Sequence, residues 1–103
     1  MKLSEFEAKP NPQASDQSVT VDGTSKTLAE LGLLLDPATE ILIISVEANS
    51  VRRTISGTPA TMTLGRLFGP TDVIIMSRAE AELAEFIATD APSAPIQVGQ
   101  YCA

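Results

Sequence analysis

The apolar residues of this chain come in short runs separated by turn-forming residues. The longest uninterrupted aliphatic runs cover only residues 41–44 and 73–76. A helix that buries one face needs apolar residues spread over about ten or more positions, whereas short runs rich in β-branched residues are typical of strands with both faces covered. The pattern therefore predicts an all-β fold, and neither run is long enough to cross a membrane.

Further segments alternate apolar and polar residues between turns. The predicted strands are SVTVD from Ser18, EILIISVEA from Glu40, VRRTIS from Val51, ATMTLGRLF from Ala60, TDVIIMS from Thr71, LAEFIATD from Leu83 and IQVGQYCA from Ile96. About seven or eight short strands at spacings of roughly ten residues predict one antiparallel β-sandwich or jelly-roll-like domain, over residues 18–103. The two most apolar strands are expected in the middle of one sheet each.

Two segments between the strands carry helical signals. In residues 26–36, KTLAELGLLLD, three leucines have helical spacing but Gly32 interrupts them, which predicts a turn or a brief helix that caps the sheet. Ser77 and Glu80 form an S-x-x-E capping box, which predicts a brief helix at 78–82.

Glycine and proline predict the remaining corners. Residues 90–95, DAPSAP, are expected to be a loop, and Gly65 is expected to bend the strand in which Met62 and Leu64 are apolar steps.

Residues 1–17 differ in composition from the rest of the chain. They mix charges, prolines and polar residues, with Leu3 and Phe6 as the only large apolar groups. Too little apolar surface is present to offset the entropy of ordering, so we expect a flexible arm. Such a segment is either an untidy terminus or a docking element whose two apolar side chains contact a partner.

Composition argues against several classes of function. Thirteen acidic and seven basic residues give a net charge of −6, which disfavours binding to nucleic acid or to an anionic membrane surface. Without His, and with a single Cys, the chain lacks the usual general base, a zinc ligand set and a Cys-His dyad. We therefore predict a protein that is not an enzyme and needs no cofactor. The start MKLSEFEAKP has no apolar signal region, so we expect no secretion. A single Cys cannot form an internal disulfide, which favours synthesis in a reducing interior.

The stretch RRTISGTPAT, residues 52–61, holds two adjacent arginines that form, with Arg66 and Arg78, the only concentrated positive charge of the predicted sandwich. Strand periodicity places Arg52 and Arg53 on opposite faces. A phosphate-binding loop is disfavoured because Pro59 lacks an N–H donor where an anion would need one. Either one arginine forms ion pairs with a partner protein, or both are solvated strand charges that discourage edge aggregation.

The acidic residues show no spacing typical of a catalytic or metal site. Asp36, Glu40, Glu47 and Asp72 lack the alternation and the glycine loop of a calcium site. Glu80, Glu82 and Glu85 form either a negative patch for a basic partner or a solvated helical turn. Cys102 is either an inert thiol or the source of an intermolecular disulfide.

The order of short patterns resembles a known group of proteins. A V-T-V-x-G-T-x-x-T-L-A-x-L-G segment precedes an aliphatic strand, an arginine-bearing strand, G-T-x-A-T and a late F-I-A strand. Over about residues 18–101 this order resembles small β-sandwich virion proteins of tailed bacteriophages and prophages. The resemblance implies a decoration or cement protein, made in the host cytoplasm, that binds the major capsid protein or another virion protein on the capsid exterior as a homo-oligomer.

Other roles stay open on the sequence alone. One is a small tail or spike accessory protein, and another is a module that binds a host-surface glycan or receptor, although one Tyr and no Trp argue against sugar stacking. The residues predicted to contact partners are Leu3, Phe6, Arg52, Arg53, Tyr101 and Cys102.

Overall fold

The computed structural model describes residues 9–10 and 17–102, without the side chains of residues 9, 10 and 102. The predicted arm anchors Leu3 and Phe6 lie outside these residues. The described residues form nine strand segments and one short helix in two antiparallel sheets, which confirms the predicted β-sandwich. The elements are β1 Lys9–Pro10, β2 Gln17–Asp22, β3 Lys26–Thr27, β4 Ile41–Val46, β5 Val51–Thr54, β6 Arg66–Phe68, β7 Val73–Ser77, α1 Arg78–Leu83, β8 Glu85–Ala88 and β9 Ser93–Cys102.

The long strand β9 lies inside the first sheet. One edge of β9 pairs with β4, with Val98 opposite Ile44. Its other edge pairs with β2, with Val98 opposite Gln17, and farther along with β1, with Tyr101 opposite Pro10. Strand β7 pairs with the far side of β4 and forms the outer edge.

The second sheet has the order β3-β8-β5-β6. In β8, Phe86 and Ala88 are fully buried and belong to the core, while Ile87 points to the other face. This is the alternation predicted for LAEFIATD. Core side chains from both sheets meet between them, and the largest fully buried ones include Phe86, Leu42, Ile44, Met76 and Ile96.

The prediction that the two most apolar strands lie in different sheets is wrong. Strands β4 and β7 pair directly with each other, and only β4 is central. In β7, Ile74 and Met76 are buried whereas Val73 and Ile75 are 56% and 45% exposed. The run at 73–76 is aliphatic on both faces although one face meets solvent.

Two other predictions need correction. Residues 93–95 are part of β9 and not of a loop. The Pro95 carbonyl accepts a hydrogen bond from the N–H of Glu47, the residue just after the end of β4. The nitrogen of Pro95, which has no hydrogen to donate, therefore points to a position beyond the last paired residue of β4. Met62 and Leu64 are about half exposed and precede a strand that begins only at Arg66.

Residues 28–32 form a single turn, as predicted. The Thr27 N–H donates to the Glu30 carboxylate and the Glu30 N–H donates to the Thr27 hydroxyl. Hydrogen bonds from the Thr27 backbone N–H and from the Thr27 side chain to the carboxylate lower the pKa of Glu30. Gly32, at φ 98°, ends the turn, since a left-handed backbone there lets the Leu33 N–H reach the carbonyl of Leu28.

The capping box of α1 is confirmed. The side chain of Ser77 accepts from the Glu80 N–H, and the Glu80 carboxylate accepts from the Ser77 N–H. The helix spans Arg78–Leu83, one residue longer than predicted, and buries Ala81.

The Gln100 side chain links the segment before β4 to the end of β9 by hydrogen bonds. Its side chain is 2% exposed. The carbonyl oxygen accepts from the Thr39 hydroxyl at 2.7 Å and from the Asp36 N–H at 3.0 Å, while the amide donates to the Leu34 carbonyl at 2.8 Å. One buried amide thus makes three bonds to a segment without strand pairing.

We expect Gln100→Leu to lower the free energy of unfolding by roughly 3 kcal/mol, because it removes three hydrogen bonds from buried or part-buried groups. Urea denaturation measures this change. Gln97→Leu, an exposed glutamine on the same strand, is the control and should stay within about 0.5 kcal/mol of the parent. Equal effects of the two substitutions would contradict this role of Gln100.

Candidate functional site

Arg52 and Arg53 point to opposite faces of β5, as their periodicity predicts. The Arg52 guanidinium donates to the carbonyl of Met62 at 3.0 Å and to the carbonyl of Gly65 at 2.7 Å. It therefore holds the loop before β6 against the outer face of the second sheet. The Arg52 side chain thus forms its hydrogen bonds within the chain and stabilises this loop.

Arg53 lies on the face shared with Val51 and meets a second arginine there. In the register of β5 and β6, Arg53 stands directly opposite Arg66. Both guanidinium groups lie over the ring of Phe68, at 5.1 Å and 5.2 Å from its centroid. Phe68 is 7% exposed and belongs to the core, so one buried ring supports two cations.

Neither of these arginines is neutralised by an acidic side chain in the described chain. The ion pairs between described residues are Lys26 with Asp22 and Arg78 with Glu82. Burial lowers the pKa of Arg53, the charge of Glu80 raises it without forming an ion pair, and Arg66 lowers it. Like charges directly opposite each other on neighbouring strands destabilise a sheet.

One atom of Arg53 is also left without a hydrogen bond. Among the described residues, its Nε is the buried side-chain nitrogen or oxygen atom that has no partner. Nearly all buried polar groups in folded proteins are hydrogen-bonded. An unpaired nitrogen on a charged group, beside a second positive charge, marks this position as the candidate site.

An open cleft of about 510 Å³ borders the arginine pair. We define the arginine cleft by Arg53, Arg66, Ser56, Thr58, Ile55 and Leu64, which line it together with the β5 end and Gly65. The corner that shapes it is closed by a hydrogen bond from the Thr54 hydroxyl to the Thr58 carbonyl. Its walls thus combine two cations, hydroxyl groups and exposed apolar side chains.

A second candidate surface lies on the outer face of the first sheet. Ile43 and Ile75 stand opposite each other on β4 and β7, and Val73 follows on the same face. We call these three residues the β7 face. Tyr101, predicted to contact a partner, is half-buried on this sheet beside Ile41.

The acidic candidates are not gathered into one site. Glu40 and Glu47 flank β4 at opposite ends, and the carboxylate of Asp72 accepts from the Gly69 N–H. Within residues 9–10 and 17–102, no group of three or more His, Cys, Asp or Glu side chains is placed to hold a metal ion.

The glutamates around α1 serve separate local structures. Glu80 completes the capping box, Glu82 pairs with Arg78, and the carboxylate of Glu85 accepts from the Ser25 hydroxyl. Cys102 lies in β9, opposite Lys9.

Sequence reasoning grouped Arg66 with Arg52 and Arg53 as positive charge, but it did not predict that Arg66 stands opposite Arg53. The two arginines are separated by a corner and an irregular loop, and only the strand register brings them together. The glycines at 57 and 65 were the available signal in the sequence, because glycine permits the left-handed backbone of a turn; in the structure their φ angles are 80° and 116°.

Comparisons with family models, with curated proteins and with solved structures find no match to this chain. The helix that the structure describes, α1, is too short to span a bilayer, and the described residues contain no other helix that could do so.

We expect Gly65→Ala to lower the free energy of unfolding by about 1–3 kcal/mol, because φ at Gly65 is 116° and an added Cβ would lie 3.0 Å from the Arg53 carbonyl oxygen. Thermal or urea denaturation measures the loss. Gly23→Ala is the control, since its Cβ would meet nothing within 4 Å. A Gly65→Ala protein as stable as Gly23→Ala would contradict the close approach.

We expect Arg66→Glu to raise the free energy of unfolding by about 0.5–1 kcal/mol, since it replaces a repulsive cross-strand pair by an attractive one. The gain should be largest at low salt, because Arg66 is exposed. Urea unfolding is the suitable measurement, as guanidinium would screen the charges. Arg66→Gln should give a smaller gain, and destabilisation by Arg66→Glu would show that the stacking of Arg66 on Phe68 outweighs the repulsion between the two arginines.

Proposed function

We propose that this protein is a non-enzymatic virion protein of a tailed bacteriophage that decorates or cements the capsid exterior, and that it docks through the β7 face and the free edge of β7. The observation that carries the proposal is the exposed apolar edge of the first sheet. Val73 and Ile75 hold large apolar side chains in solvent, side by side on the edge strand of this sheet.

The backbone of β7 also offers unpaired hydrogen-bonding groups. The Val46 N–H and carbonyl bond to Asp72 and Thr71, so by antiparallel alternation Ile74 and Met76 direct their backbone groups toward β4. Val73 and Ile75 then direct theirs to the other side, where no strand of the described chain pairs. A partner strand could add there by β-augmentation.

This edge lacks the usual protection against pairing. Natural sheets place charges, proline or bulges on exposed edges, yet none of the residues of β7, VIIMS, is charged. On the opposite side of the sheet, β2 ends in Asp22, which forms an ion pair with Lys26. This difference between the two edges of the sheet favours β7 as the edge that binds a partner.

The phage assignment draws its support from the resemblance of residues 18–101 to virion decoration proteins. A small acidic sandwich without His is suited to holding surfaces together rather than to acid–base chemistry. Many copies on a symmetric lattice bind strongly through multivalency even when each contact is weak. The major capsid protein, with neighbouring copies of this chain, is the proposed partner.

We expect Ile75→Lys to weaken cosedimentation with capsids by about tenfold or more, because a lysine ammonium would lose its hydration in an apolar contact. The test uses capsids assembled from the major capsid protein of the proposed phage. Sedimentation with purified particles, at matched protein concentrations, measures the binding.

Thr20→Lys is the matched control, since it adds the same charge to an exposed position at the opposite edge of the same sheet. It should bind as the parent does. Failure of the parent protein to cosediment would refute the capsid proposal, and equal binding by the two lysine variants would refute docking through β7. Binding to immobilised host glycans without binding to capsids would favour a receptor-binding role.

A further inference from the structure

We infer that the arginine cleft binds a carboxylate carried on an apolar stretch of peptide, as in an acidic segment of a partner protein. The inference stands on the cleft alone and does not require the capsid proposal. It names the chemistry of a second contact, separate from the β7 face.

The charge balance at the cleft calls for an anion. Arg53 and Arg66 stand opposite each other in a protein whose net charge is −6, and no described acidic side chain forms an ion pair with either. A bound carboxylate would lie between two cations and remove their repulsion. It would also attract the charged guanidinium whose Nε is buried without a partner.

The guanidinium groups are already held in place for such a ligand. Each lies over the Phe68 ring, close to 5 Å from its centroid. Stacking on a buried ring already restricts the arginine side chains in the free protein. The entropic cost of ordering them on binding is therefore smaller, which favours affinity. The planar donor fork of arginine matches the two oxygens of a carboxylate.

The remaining walls favour a peptide over free phosphate or nucleic acid. Ile55 and Leu64 line the cleft and are 44% and 49% exposed, so they can contact apolar groups beside the carboxylate. The corner supplies few backbone donors of the kind that hold phosphate, since Pro59 has no N–H. The net charge of −6 opposes a polyanion at long range.

The test is a titration of the full, isotope-labelled chain, followed by NMR, with the capped peptide acetyl-Leu-Glu-Leu-amide. We expect shifts of the amide signals of β5, β6 and the corner between them. The glutamine peptide acetyl-Leu-Gln-Leu-amide should bind at least about tenfold more weakly, because it lacks the charge that both arginines attract. Equal binding of the two peptides would overturn the inference.

Two substitutions locate the site. Arg66→Gln removes an exposed guanidinium and should weaken binding of the glutamate peptide by about tenfold or more, while the spectrum itself reports whether the fold is kept. Lys26→Gln changes the net charge equally, on the strand at the far side of the second sheet, and should leave binding unchanged. Equal loss in both variants would show only a general charge effect and would reject the site.

Sodium phosphate at matched ionic strength separates the two sources of an oxyanion. Weaker shifts with phosphate than with the glutamate peptide are expected, and tighter binding of phosphate would overturn the peptide assignment. Because the titration contains no capsids, its failure leaves docking through β7 unaffected. Conversely, an Ile75→Lys protein that no longer binds capsids should still bind the peptide.

Discussion

The pairing of β9 on both edges is the constraint on which the first sheet depends. One edge of this ten-residue strand pairs with β4, and the other pairs with β2 and β1. Strands β1 and β2 therefore join the sheet that contains β4 only through β9. The buried amide of Gln100 extends this role by fixing the segment that leads into β4. With β9 and β4 inside the sheet, β7 is left at its margin, and the exposure of Val73 and Ile75 follows from that position.

Local patterns in the sequence predicted individual elements well, because side-chain alternation and capping are properties of a few neighbouring residues. The opposite faces of Arg52 and Arg53, the capping box of Ser77 and the burial of Phe86 all follow from such patterns. Pairing was not predictable in the same way. An aliphatic run indicates that both faces of a strand are apolar, but it does not distinguish a central strand from an edge strand whose apolar outer face is exposed. The meeting of Arg53 with Arg66 likewise depends on register across a loop.

The two proposed contacts lie on the same side of the sandwich. Strand β6 carries Arg66 at the edge of one sheet, β7 is the edge of the other, and the turn at 69–72 joins them. Within this turn Thr71 has φ of 73°, an unfavourable value for a β-branched residue, and its N–H is fixed to the Val46 carbonyl. Backbone strain of this kind costs of order 1–3 kcal/mol and is kept where the surrounding structure or a function requires it. The unpaired edge of β7 and the like-charged pair of Arg53 and Arg66 are the two observations from which we propose that the protein binds another protein on this side.

Hydrogen exchange of the amides of β7, measured by NMR on the isolated protein and on protein recovered from capsids, tests docking through this edge most directly. In the isolated protein the amides of Val73 and Ile75 should exchange much faster than those of Ile74 and Met76, because only the latter pair donates to β4. Binding should slow exchange at Val73 and Ile75 and change little at β2. Protection of all four amides in the isolated protein, or capsid binding that leaves Val73 and Ile75 in fast exchange, would contradict the account.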